Sequence, residues 1–201
     1  DAEMTVAMSP RKTPLLAGPT GISRISAGTP GTTYTVRPSR EQISPGAVPR
    51  VRSTRTFGET RGSGMLLTVE SIAGDPRAHR QLIADERIPR EDGRNASTLR
   101  EYNLKGRYTG RSLPQDAFAA EAEGVALWSC SASGGYWIAV DQLAPLTMFH
   151  LFERDSLAPA GSFKGAVTAF TDGVTLHAAS TRTFPRGALF AVHDDAAVAA
   201  F

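Results

Sequence analysis

The sequence predicts an all-β fold assembled from repeated four-stranded sheets. Three observations lead there. Glycine (19) and proline (13) are plentiful and the turn dipeptides are spread along the chain, as many short strands with tight connections require. Apolar runs are brief, and none approaches the ~20 residues that span a bilayer. Above all, one local order of residues recurs three times at intervals of about 50 residues, and such a period marks a repeat architecture.

The chain divides at about residue 53. In 1–52, Pro10, Pro14, Pro19, Pro30, Pro38, Pro45 and Pro49 interrupt every candidate element, because proline lacks the N–H that a ladder needs. Only residues 32–36 (Thr-Thr-Tyr-Thr-Val) alternate like a strand. The expectation for 1–52 is an irregular segment. The stretch 1–8 shows no basic region followed by an apolar one, so no signal peptide is visible.

The repeat occupies 53–201. Its first element is an acid, a small residue, a β-branched residue and another small residue: Glu70-Ser71-Ile72-Ala73, Glu123-Gly124-Val125-Ala126 and Asp172-Gly173-Val174-Thr175. Its second is an apolar run ending in a polar pair: Gln81-Leu82-Ile83-Ala84 into Asp85-Glu86, Tyr136-Trp137-Ile138-Ala139-Val140 into Asp141-Gln142, and Ala188-Leu189-Phe190-Ala191-Val192 into His193-Asp194. Its third, present in the first two repeats, alternates apolar and polar residues over 98–104 and 147–153, as a half-buried strand does. The turns Lys105-Gly106 and Asp155-Ser156 then lead to a short fourth strand. Four strands per ~50 residues is the signature of a propeller blade. The hairpins of a β-sandwich would fit the same segments, but the acid recurring at one place favours a partial β-propeller of about three blades.

In a propeller, an acid just before the inner strand and one at the end of the next strand meet at one rim of the channel. Glu70 with Glu86, Glu123 with Gln142, and Asp172 with Asp194 then converge on one mouth. Gathered carboxylates repel and their pKa values rise unless a cation neutralises them. Carboxylates, amides and carbonyls suit Ca²⁺. Separate solvated strand-end acids would fit the same pattern.

Other chemistries find little support. Cys130 is the only cysteine, which excludes an internal disulfide and a thiolate cluster; following an apolar run, it reads as a strand-end core residue. His79, His150, His177 and His193 lack the spacing of a zinc site. No Ser/His/Asp, Cys/His or Arg-His-Gly-x-Arg-x-Pro arrangement is present. Net charge is +2, and the densest basic group, Arg50, Arg52, Arg55 and Arg61, has only Phe57 beside it, unlike a nucleic-acid groove with its interleaved aromatics. Neither a nucleic-acid nor a membrane partner is expected. Trp128 and Trp137 read as packing residues between sheets. Asn95-Ala96-Ser97 fits either a glycosylation acceptor or a hairpin loop.

These motifs resemble those of the calcium-dependent β-propeller phytases. The likeness rests on Phe57-Gly58-Glu59, Val69-Glu70-Ser71-Ile72-Ala73-Gly74-Asp75-Pro76 and Leu82-Ile83-Ala84-Asp85-Glu86. It continues through Glu121-Ala122-Glu123-Gly124-Val125-Ala126-Leu127-Trp128, Gly135-Tyr136-Trp137-Ile138-Ala139-Val140-Asp141-Gln142, Thr171-Asp172-Gly173-Val174 and 184–194. It covers about 55–201 and implies the C-terminal half of a six-bladed propeller. It further implies Ca²⁺ as cofactor and a secreted or periplasmic location. Glu70, Glu86, Glu121, Glu123 and Gln142 are implied as metal- and substrate-proximal residues, joined by Asp172 and Asp194. The family carries a further Asp where this chain has Thr175, and its phosphate-gripping Lys, Arg and Tyr residues find no match in 1–52.

The implied reaction is calcium-dependent hydrolysis of phytate, a polyphosphorylated inositol. Glu70 and Glu123 are the expected catalytic, metal-bridging pair, and no protein nucleophile is required. Missing blades or a second chain would complete the ring. The alternative is a non-catalytic calcium-binding fragment that captures a ligand or partner. A lactonase-like or phosphotriesterase-like propeller would instead draw its ligands from deep in the tunnel, and a purely structural repeat would need none.

Overall fold

The computed structural model describes residues 4–7, 33–37, 52–86, 96–114 and 116–201, the first two segments and 52–56 as backbone only. Among these residues every regular element is a strand. In chain order they are β1 (Met4–Ala7), β2 (Thr33–Arg37), β3 (Arg52–Phe57), β4 (Thr68–Asp75), β5 (Arg80–Glu86), β6 (Thr98–Asn103) and β7 (Tyr108–Ser112). Then follow β8 (Ala122–Ser129), β9 (Gly135–Asp141), β10 (Met148–Glu153), β11 (Pro159–Phe163), β12 (Val174–His177), β13 (Ala188–His193) and β14 (Ala197–Ala200).

They form three four-stranded antiparallel sheets and one hairpin. The first sheet runs β4-β5-β6-β7, the second β8-β9-β10-β11 and the third β12-β13-β14-β1, while β2 pairs with β3. The repeat units expected from 53 onward thus each nucleate one sheet. Local chemistry fixes the hairpins. Between β6 and β7, the Asn103 Oδ1 accepts from the N–H groups of Lys105 (2.9 Å) and Arg107 (3.1 Å), and Gly106 takes a φ of 76° that glycine adopts without steric cost.

In the first two sheets the second strand is the most buried. All seven residues of β9 are buried except Tyr136, so this strand is covered on both faces rather than alternating. Its two faces fill two cores. Trp137 and Ala139 join Leu82, Ala84, Leu99, Phe118 and Phe152 between the first and second sheets. Ile138 and Val140 join Phe149, Leu189 and Ala191 between the second and third. The second sheet is therefore sandwiched face to face between its neighbours, with side chains alternating as the pleat dictates. Truncating the fully buried Trp137 to Ala would cost about 3–5 kcal/mol. On the far face of the first sheet, Ile83 and Tyr102 pack with Phe57 and Leu66.

The first strands of the three sheets are neighbours: β4 lies beside β8, and β8 beside β12. Gly124 permits the second approach. A methyl group there would sit 3.0 Å from Val174 N and 3.2 Å from Asp172 O, contacts too short for a rigid backbone.

The segment 1–52 supplies β1 and β2, the latter at the alternating stretch noted at 32–36; its other residues lie outside those described, except that Arg52 begins β3. β1 pairs with β14 in the register Met4 to Ala200 and Ala7 to Ala197, a contact across nearly the whole chain that no local pattern announces. Cys130 is exposed rather than core, because β8 ends at Ser129 and Cys130 enters a turn, donating its N–H to Gly134 O (3.0 Å). Of the tryptophans, Trp137 is buried between sheets, whereas Trp128 is 38% exposed. Asn95 of the glycosylation motif falls outside the described residues, and Ser97 is fully buried.

Candidate functional site

In the first two repeats the opening acid sits at an irregularity of the ladder. In β4, Val69 pairs with Asp85 and Ser71 with Ala84, leaving Glu70 as an extra residue. In β8, Ala122 pairs with Asp141 and Val125 with Ala139, so Glu123 and Gly124 together oppose one residue. Such bulges re-aim a side chain out of the regular alternation. Both Glu70 and Glu123 are thereby displaced from the pleat, and β5 ends at the same edge of the first sheet with Glu86.

The side chains converge. Ligand-type oxygens of Glu86, Glu121 and Glu123 lie within 4.8 Å of one another. Glu123 is 7% exposed. Burial first, then the charges of Glu70, Glu86, Asp172 and Glu121, push its carboxyl up to about 8. Glu86 is likewise raised, by burial, by the charges of Glu121 and Glu70, and by a hydrogen bond with Glu70. From the third sheet's side, Asp172 Oδ1 accepts from Gln142 Nε2 at 2.7 Å. Glu70, Glu86, Glu121, Glu123, Gln142 and Asp172, from the strands and connections of the three sheets, are therefore neighbours. Asp194 is elsewhere in character: it occupies the exposed turn between β13 and β14 with a φ of 47° and is not among the charges acting on Glu123.

Sequence reasoning missed the groups that hold these segments in place. The Asp85 carboxylate, fully buried, accepts from Leu67 N (2.7 Å) and Thr68 N (3.3 Å) through Oδ1 and from Arg100 Nε (2.9 Å) through Oδ2. The Asp141 carboxylate accepts from Ala119 N (2.9 Å) and Ala120 N (2.8 Å) and lies 3.2 Å from His150 Nε2. In the third sheet His193 Nδ1 accepts from Ala169 N (3.1 Å). Each clamp ties the end of a second strand to the segment entering a first strand. The signal was in the polar pairs Asp85-Glu86, Asp141-Gln142 and His193-Asp194: the first member binds backbone, and in the first two pairs the second reaches the cluster.

A different electrostatic knot closes the opposite end. Asp75, at the far end of β4, accepts from Arg154 Nη2 (2.6 Å) and Nε (2.8 Å). Arg80 adds a weaker contact to Asp75 (3.4 Å) and bonds to Glu101 and to Arg154 O. Donation from Arg154 holds the Asp75 carboxyl below its ordinary range, burial opposing. Every charge in this knot has a partner of opposite sign, whereas the charges felt by Glu123 are all carboxylates. The acidic cluster thus differs from the knot in lacking a cationic group among the charges that act on Glu123, and Glu86, Glu121 and Glu123 could hold a metal ion.

No family model, curated protein or solved structure matches this chain.

Proposed function

We propose that this chain is the blade-bearing part of a β-propeller that binds Ca²⁺ at its acidic mouth and hydrolyses phosphate monoesters of inositol, phytate being the substrate that the sequence resemblance implies. The propeller reading is supported by β4, β8 and β12 lying side by side, each the first strand of its own sheet. Three such sheets amount to half of a six-bladed ring, which further blades or a second chain would complete.

The observation that carries the functional reading is the meeting of Glu86, Glu121 and Glu123 around a nearly dry Glu123. The donor set is oxygen only, which suits a hard cation such as Ca²⁺ and not Zn²⁺. Glu86, Glu121 and Glu123 would hold the ion, with Glu70, Asp172 and the Gln142 Oε1 adjoining. A bound divalent ion supplies positive charge for phosphoryl oxygens and acidifies a water for attack on phosphorus. The chain's own contribution is placement of oxygen donors at a single opening, exclusion of bulk water from Glu123, and custody of a proton on the Glu123 carboxyl when the mouth is empty of cations. Glu70 and Glu123 are the proposed catalytic groups.

The test is phosphate release from phytate by the full chain, with Ca²⁺ and with a chelator. Release should require Ca²⁺, and Glu123→Gln should lower kcat/KM by about 10²-fold or more. A folded, Ca²⁺-saturated protein that releases no phosphate defeats the hydrolase reading. The absence of matched phosphate-gripping residues in 1–52 favours a second reading, a calcium-binding module for a ligand or partner. That reading predicts cation binding without turnover.

A further inference from the structure

The clamps described above recur in all three sheets, and each immediately precedes a segment that delivers an acid to the mouth. Asp141 grips Ala119 and Ala120 by consecutive N–H groups. The residue just after the strand, Gln142, donates its own N–H to Glu121 O at 3.0 Å. Three bonds from one strand end therefore fix residues 119–121, which include Glu121, and Glu123 lies two residues downstream. Asp85 fixes Leu67 and Thr68 in the same way, two residues ahead of Glu70. Both carboxylates are buried and already taken up by backbone and side-chain donors, Arg100 on one and His150 on the other. They are acids near a cation mouth that have no free role as ligands.

We propose that Asp85 and Asp141 are positioning residues: their carboxylates set the spacing of Glu70, Glu121 and Glu123, and so set the affinity of the mouth for a divalent cation. The bulges make this placement necessary. A bulged residue is released from the ladder, and Glu70 and Glu123 are held beside like charges that push them apart. The clamps oppose that repulsion by anchoring the backbone on the upstream side. The third clamp, His193 on Ala169, carries out the same task with a ring nitrogen as acceptor, upstream of Asp172. The inference rests on the cation-binding reading of the mouth, and it adds residues that are not ligands.

The experiment titrates Ca²⁺ into the full chain by calorimetry and records the melting temperature of each cation-free protein. Wild type is measured first, beside Asp141→Asn, Asp141→Glu and Asp75→Asn. Asp141→Asn removes one acceptor and should bind Ca²⁺ about 10–100-fold more weakly, the usual cost of losing a group that orients a ligand. Asp141→Glu keeps the charge and both acceptors but displaces residues 119–121 by a methylene. It too should bind more weakly, and it remains informative should Asp141→Asn fail to fold. Asp75→Asn at the opposite end should melt earlier yet bind Ca²⁺ as wild type does. Wild-type affinity in a folded Asp141→Asn or Asp141→Glu protein overturns the inference. An affinity loss in Asp75→Asn equal to theirs also overturns it, since affinity would then follow general stability. A wild-type chain that binds no Ca²⁺ defeats the cation-binding reading itself and the inference with it.

Discussion

Glu123 concentrates the chemistry of the mouth in one side chain. Its carboxyl is raised from 4.5 to about 8, so between these values the folded protein keeps a proton that the unfolded chain has released. Stability of the cation-free protein then falls as pH rises through that window, by at most about 1.4 kcal/mol per pH unit from this group. Glu86, raised in the same direction, adds to the fall. Ca²⁺ should reverse it, because the ion binds the ionised cluster. The gap in melting temperature between Ca²⁺-loaded and cation-free protein should widen from pH 5 to pH 8. A gap that stays constant across that range would count against a cation at Glu123. Glu123→Gln removes the charge while keeping the shape, so at pH 8 it should raise the cation-free melting temperature and abolish the response to Ca²⁺. Glu70, Glu86 and Glu123 were legible in the sequence because the repeat aligns them. Asp85 and Asp141 align equally well, but an acid that accepts backbone N–H groups and one that faces a cavity look alike in sequence. Asp194 lies in the exposed turn after His193, whose left-handed conformation a pattern of residue types does not encode.

Elements with local causes were the readable ones. β5 and β9 announce themselves as apolar runs, and β6 and β10 by alternation. β12 is four residues long and was visible only through its likeness to β4 and β8. The bulges that aim Glu70 and Glu123 were not visible, since a register irregularity depends on the partner strand. Gly124 marks one of them. Gly124→Ala should push the Asp172–Val174 backbone away from β8 and weaken Ca²⁺ binding more than it lowers stability, as a titration beside a thermal melt would show. At the other end of β4, the Asp75–Arg154 pair is almost fully buried. Removing one partner of such a pair typically costs about 3–5 kcal/mol, so Asp75→Asn should lower the unfolding free energy by that order. Because the Asp75 carboxyl is held below its ordinary 3.8, the stabilisation is complete above that value and is lost as pH falls through the depressed one. An acid titration of Asp75→Asn should therefore be flatter than that of the wild type. The two ends of the same strand thus respond oppositely: alkali loads the mouth with repulsion, and acid loosens the knot.

At the scale of the molecule, three sheets stacked face to face share two apolar cores through β9, and the third sheet is completed by a strand from the other end of the chain. Deleting residues 1–7 would remove β1 and leave the edge of β14 unpaired. Exposed edges invite pairing with other chains, so the shortened protein should self-associate at concentrations where the full chain does not, as light scattering would register. The fold class was readable because the repeat is periodic; the strand exchange between the ends was not, because Met-Thr-Val-Ala has no feature that specifies a partner about 190 residues away. The antiparallel register that sets Met4 opposite Ala200 and Ala7 opposite Ala197 also has a mechanical consequence. Tension applied between Met4 and Ala200 would load the pairing at one end, so its hydrogen bonds would break in succession, like a zip, rather than all at once in shear. In a single-molecule pulling experiment with handles at these two residues, β1 should peel away first and at low force, before either apolar core is breached.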